Sequence, residues 1–83
     1  MTLTDLPNIG PKLAENLRRV GLDTPEAFRA AEAKDAFLRI RTQVDSAACF
    51  HQLTALAGAE QGIPKKTLTA EEKIELRNFF DSL

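Results

Sequence analysis

The chain has no tryptophan and no tyrosine, and it carries one cysteine, one histidine and one methionine. With Cys49 alone, no internal disulfide can form, and a lone thiol fits a reducing, cytoplasmic setting. Cys49 lies in an apolar stretch and is expected to pack in the core. His51 is two residues away, and residues so spaced do not face each other on a helix, so a Cys–His dyad is not supported. One histidine among scattered carboxylates makes no metal set, so His51 reads as a surface or edge residue. No glycine-rich loop of the nucleotide-binding type is present, and Ser46 has no histidine or aspartate constellation around it. No catalytic residues, cofactor or metal are therefore assigned. No apolar run is long enough for a signal peptide or a membrane span, so a membrane is not among the expected partners.

An excess of one charge is missing too. The net charge of −1 argues against a strongly electropositive nucleic-acid binder, because phosphate contacts dominate the affinity of such proteins. Residues 1–43 carry seven Lys/Arg against six Asp/Glu, and residues 44–83 carry four against six, so the N-terminal half is only mildly the more basic. That asymmetry supports weak phosphate binding at most. Glu71, Glu72 and Glu75 read as a solvated helix end, and Lys65-Lys66 as a solvated basic spot.

What is present is a run of short amphipathic segments with clear stops. Eighty-three residues and a 43% apolar share make one globular domain spanning 1–83. Leu3 to Leu6 suits a brief first turn capped by Thr2. Pro7 to Gly10 is a tight turn in which Asn8 and Gly10 tolerate positive φ. Pro11 opens a helix with Leu13, Leu17 and Val20 on one face, and Gly21 ends it. Thr24-Pro25-Glu26 restarts the chain as cap, first-turn proline and favourable carboxylate. A break near Ala33 to Asp35 precedes a third helix with Phe37, Ile40 and Val44. Ser46 caps a longer fourth helix carrying Cys49, Leu53 and Leu56, which ends near Gly58 to Gly62. Gln61 to Leu68 is the longest non-helical connection. Thr69 and Glu72 form a capping box for a last helix with Leu76, Phe80 and Leu83 on its inner face, flanked by Ile74 and Phe79. The fold class is all-α: a compact bundle of about five short helices with an N-terminal helix-hairpin-helix-like element. Its core is expected to hold Ile9, Leu13, Leu17, Phe28, Phe37, Ile40, Leu53, Leu56 and Phe80.

The stretch Leu6-Pro7-Asn8-Ile9-Gly10-Pro11-Lys12-Leu13-Ala14 resembles a helix-hairpin-helix element, with Asn8 where that motif usually has its first glycine. A Pro-Asn-hydrophobic-Gly turn of this kind is similar to that of the DNA-binding C-terminal domain of bacterial RNA polymerase α subunits. Each position has a physical use. Ile9 plugs the gap between two helices, and Gly10 lets the backbone turn and approach a partner. The free N–H groups after Pro11 open a helix N-terminus that favours anions. In the motif those amides hold a DNA phosphate, and Lys12 adds charge beside it.

Over nearly the whole chain, the order of segments resembles the C-terminal domain of the TfoX/Sxy competence proteins. The residues that carry the resemblance are Leu6 to Leu13, Val20 to Glu26, Lys34 to Arg41, Ser46 to Cys49, Leu53 to Ile63 and Leu76 to Phe80. The resemblance implies a helical domain associated with regulation of natural transformation. Full-length regulators of that family carry a preceding α/β domain, so this chain is expected to be the stand-alone form. Ile63-Pro64-Lys65-Lys66 stands where the family often has an aromatic residue.

Two readings follow, neither of them enzymatic. One is weak, sequence-independent DNA binding through backbone contacts at Asn8, Ile9, Gly10, Lys12 and Leu13, with Arg18 and Arg19 as helpers and a competence role. The other is a protein-interaction module that docks a transcriptional or regulatory protein without touching nucleic acid.

Overall fold

Local stop and start signals set the helix boundaries. In the computed structural model, which describes residues 1–83, the chain forms a 3-10 turn at Leu3–Asp5 and then helix α1 at Pro11–Arg19. Helices α2 (Pro25–Ala31), α3 (Ala33–Gln43) and α4 (Phe50–Gln61) follow, then a second 3-10 turn at Lys65–Thr67, and finally α5 at Ala70–Asp81. There is no strand.

The caps behave as their chemistry requires. The backbone N–H of Thr2 donates to the Asp5 carboxylate at 2.7 Å, which closes the first turn and holds the Asp5 carboxyl below the usual carboxylate range. The Thr24 hydroxyl accepts the Ala27 amide at 3.1 Å, satisfying one of the orphan donors at the start of α2. At α5 the reciprocal pair is complete: Glu72 donates its amide to the Thr69 hydroxyl, and its carboxylate accepts the Thr69 amide, each at 3.1 Å. That backbone bond, followed by the Gln61 amide, lowers the Glu72 pKa. Gly21 (φ 84°) and Gly62 (φ 75°) take the left-handed positions after α1 and α4.

One core joins all five helices. Phe28, Phe37, Leu17, Ile40, Leu53 and Leu56 are wholly enclosed, and Leu3, Leu6, Ile9 and Leu13 close its N-terminal end. α4 runs through the middle and is buried from Leu53 to Ala59 on every side, which its small residues allow. Helices α3 and α5 flank it.

Several sequence expectations need correction. The break before α3 falls at Glu32, earlier than Ala33 to Asp35, because a single residue at φ 71° turns the chain there and Ala33 is already helical and buried. Ser46 does not cap α4. The helix starts at Phe50, with Cys49 at the cap position, so Cys49 is exposed while Ala48 takes the core position. Gly10 is not the turning residue: it is extended (φ −89°, ψ −179°), and Asn8 carries the positive φ. Phe80 is only half-buried, stacked edge-on against Phe50 at 5.7 Å and covered by the Arg41 and Arg77 guanidinium groups at 5.3 and 5.8 Å. Leu83 and Ile74 are exposed, since α5 ends at Asp81 and buries only Leu76 fully. The Gln61 to Leu68 connection is not irregular throughout, because it contains the second 3-10 turn.

Candidate nucleic-acid interface

The turn at residues 7–10 is built around Asn8. A left-handed φ of 68° is tolerated by asparagine better than by most side chains. The side chain then joins the turn to a distant part of the chain. Its Nδ2 donates to the carbonyls of Ile63 at 2.9 Å and Ala55 at 3.3 Å, and its Oδ1 accepts the Lys65 amide at 3.0 Å. All the polar capacity of the carboxamide but one lone pair is used. The sequence reading gives Asn8 a backbone contact only, and its side chain is committed to the fold.

Gly58 makes this approach possible. A Cβ on Gly58 would lie 2.6 Å from Asn8 Nδ2 and 2.8 Å from the Ile63 carbonyl oxygen. Sequence reasoning had used Gly58 only to mark the end of α4. Its place inside a helix, between Ala57 and Ala59, was the available signal, because glycine there weakens the helix and calls for a close neighbour.

The other predicted residues divide by depth. Ile9 and Leu13 are core residues, 5% and 9% exposed, so only their backbone can meet a partner. Gly10 is exposed, and a Cβ there would meet nothing within 4 Å. The fold itself does not require glycine at this position. Gly10 is the N-cap of α1 and supplies no side-chain cap, and the amides of Lys12 and Leu13 have no acceptor within the chain. Lys12 is exposed and forms no ion pair.

Arg18 and Arg19 lie at the far end of α1, about 10 Å along the axis from Lys12 for Arg19 at 1.5 Å per residue. Both pair with Glu15, at 3.7 and 3.5 Å, and these contacts are exposed and weak. The structure therefore brings Asn8 to Leu13 together and leaves Arg18 and Arg19 at a distance. The hairpin's first arm is short, a three-residue 3-10 turn where a full helix-hairpin-helix has a helix.

Sequence reasoning missed the neighbour of this turn. The 3-10 turn at Lys65–Thr67 docks on Asn8 through the Lys65 amide. Fifty-seven residues separate Lys65 from Asn8 in the chain, and nothing local in the sequence signals that contact.

A second concave feature is a shallow groove of about 260 Å³ among α3, α4 and α5, lined by Glu32, Lys34, Glu60, Glu72, Glu75 and Leu76 among others. Three of its carboxylates are already engaged. Glu60 accepts the Ala33 amide at 3.1 Å, Glu75 pairs with Lys34 at 2.8 Å, and Glu72 caps α5. No group of three or more His, Cys, Asp or Glu is placed to hold a metal ion, and no helix is long and apolar enough to cross a membrane.

The family model of the TfoX C-terminal domain matches residues 1–80. Two solved structures are similar throughout. One is an uncharacterised protein from Listeria monocytogenes in a triclinic crystal form, 43% identical, with a TM-score of 0.96 over 99% of this chain and 92% of that one. The other is a protein of unknown function from Listeria monocytogenes in a tetragonal form, 44% identical, with a TM-score of 0.92 over 96% of each chain. No curated protein matches the sequence.

Proposed function

Because the chain belongs to the TfoX C-terminal domain family, we propose that it is a non-enzymatic cytoplasmic binding module that holds nucleic-acid backbone weakly and without sequence preference in a competence-related role. The start of α1 carries this reading. Two amides there have no internal acceptor, Gly10 leaves the approach to them open, and Lys12 stands beside them unpaired. Such a helix end favours anions through its amides and its dipole. A phosphate held this way positions the partner but carries no base information.

Affinity for duplex DNA is expected in the non-specific range, roughly 10⁻⁴–10⁻⁶ M at physiological salt. The helix start and Lys12 account for about two phosphates, so log K against log salt should have a slope near −1.8, at about −0.9 per phosphate. Lys12→Glu should weaken binding to every sequence alike and leave the fold unchanged, as followed by fluorescence anisotropy and thermal melting. No binding by the wild type at ~20 mM salt, where screening is weak, would remove this reading. The module would then act on a protein partner. The feature that favours that second reading is the groove on α3, α4 and α5.

A further inference from the structure

We infer that the α2–α3 joint at Glu32 is a two-state latch: the Glu60 carboxylate holds the peptide between Glu32 and Ala33 in a strained orientation, and loss of that bond lets the joint relax and opens the start of α3. This goes beyond the binding reading above and stands whether or not the domain meets nucleic acid.

The strain lies in one rotation. Glu32 has the φ of the left-handed well, 71°, but its ψ of 156° is about 110° away from the ψ of that well. A residue with a Cβ visits the left-handed well at modest cost, whereas the region Glu32 occupies is essentially reserved for glycine. Rotation about ψ turns the peptide plane that carries the Glu32 carbonyl on one edge and the Ala33 amide on the other. The strained orientation persists only while those edges are held.

Both edges are held. The Glu32 carbonyl accepts the Ala36 amide at 3.0 Å, the first bond of α3. The Ala33 amide donates to Glu60 Oε1 at 3.1 Å, a part-buried contact between residues 27 apart in the chain. Without Glu60, that amide would be one of the orphan donors at a helix start. A charged acceptor makes the bond stronger than a neutral one would. The Glu32 side chain adds nothing to the cap, and the Lys34–Glu75 pair beside it, at 2.8 Å, is exposed and weak. A turn of this peptide into the left-handed well breaks the Ala33 and Ala36 bonds together, so the joint has two arrangements and no gradual path between them.

Glu32, Ala33 and Glu60 all line the groove among α3, α4 and α5. The clasp is therefore reached from that groove, and a group that competes there for the Glu60 carboxylate acts on the start of α3.

The test is amide hydrogen exchange, followed by NMR on the whole chain. The Ala36 amide reports the joint, because its acceptor is the Glu32 carbonyl and not Glu60. Glu60→Ala should speed Ala36 exchange roughly tenfold, while Ile40 and Leu56, in the middle of α3 and α4, stay within about twofold of the wild type. Glu60→Gln keeps a carbonyl acceptor for the Ala33 amide and should leave Ala36 protected. Adding Glu32→Gly to Glu60→Ala removes the strain, so Ala36 protection should return although Ala33 has lost its acceptor. Wild-type exchange at Ala36 in Glu60→Ala would overturn the inference, because Glu60 would not be the clasp. Equal acceleration in Glu60→Gln and Glu60→Ala would overturn it too, since no acceptor at residue 60 would then be holding the joint. If the double variant exchanges as fast as Glu60→Ala alone, residue 32 stores no strain and there is no latch. A rise of one size at Ala36, Ile40 and Leu56 is a general loss of stability and also sinks the idea.

Discussion

Asn8 and Glu32 both reverse the chain with a left-handed φ, 68° and 71°, and differ in what supports them. At Asn8 the side chain makes three hydrogen bonds to residues about fifty positions away. At Glu32 the backbone does all the work. Its N–H ends α2 on the Phe28 carbonyl at 3.1 Å, and its carbonyl starts α3 by accepting the Ala36 amide at 3.0 Å, while its exposed side chain supplies no cap. The ψ of 156° puts Glu32 outside the left-handed helical well, in a region that essentially only glycine populates. One turn is stabilised by its side chain, and the other is held despite it. The first belongs to the candidate site, and the second joins two helices of the scaffold.

The comparison can be broken most forcefully at Gly58. Gly58→Ala puts a methyl group 2.6 Å from Asn8 Nδ2 and 2.8 Å from the Ile63 carbonyl, so the tether must open and the backbone of residue 63 must move. Overpacking of this kind costs about 1–3 kcal/mol. The lost hydrogen bonds add about 2 kcal/mol, and better helix propensity returns only about 1 kcal/mol. A net loss of about 3 kcal/mol is expected in urea unfolding, a large part of the roughly 4–12 kcal/mol available to a domain of this size. A loss under about 1 kcal/mol would mean that the tether is loose in solution.

Two substitutions at Asn8 separate its side chain from its backbone. Asn8→Gly removes the three hydrogen bonds but keeps the φ of 68° accessible, and should cost about 2 kcal/mol. Asn8→Ala removes the same bonds and adds about 1 kcal/mol for a Cβ in the left-handed region. Unfolding curves should therefore rank wild type, Gly and Ala in falling order. Equal stability of the two variants would show that φ at this position relaxes once the tether is cut.

The same contrast shows what was legible in the sequence. Helix order, the Thr24 and Thr69 caps and the apolar core could be read because each depends on residues within a few positions of one another. Asn8 and Gly10 were recognised as the turn, but their roles were exchanged: both tolerate positive φ, and local chemistry alone does not say which one takes it. Cys49 and Ser46 were misplaced because their apolar neighbours extend the helical pattern past its actual start at Phe50. Phe80 was placed in the core because its spacing marks a face, while the depth of that face depends on what packs over it. The contact of Lys65 with Asn8 was out of reach, since it joins segments 57 residues apart and leaves no periodic trace.

Glu32 offers the smallest and opposite effect. At φ 71° and ψ 156° a residue with a Cβ stores about 1–3 kcal/mol, and glycine adopts the same backbone without that strain. Against this, glycine adds freedom to the unfolded chain that costs about 0.4–1 kcal/mol on folding. The Glu32 side chain makes no hydrogen bond or ion pair, so none is lost on substitution, and glycine is an acceptable residue at the start of α3. Glu32→Gly should thus stabilise the domain by about 1 kcal/mol, which for a chain of this length raises Tm by about 4–8 °C. DNA affinity should stay within about twofold, because Glu32 lies in the α3–α5 groove and not beside Asn8. A lower Tm would show that the backbone at residue 32 relaxes to an ordinary conformation in solution, and that the two turns differ less than their dihedral angles imply.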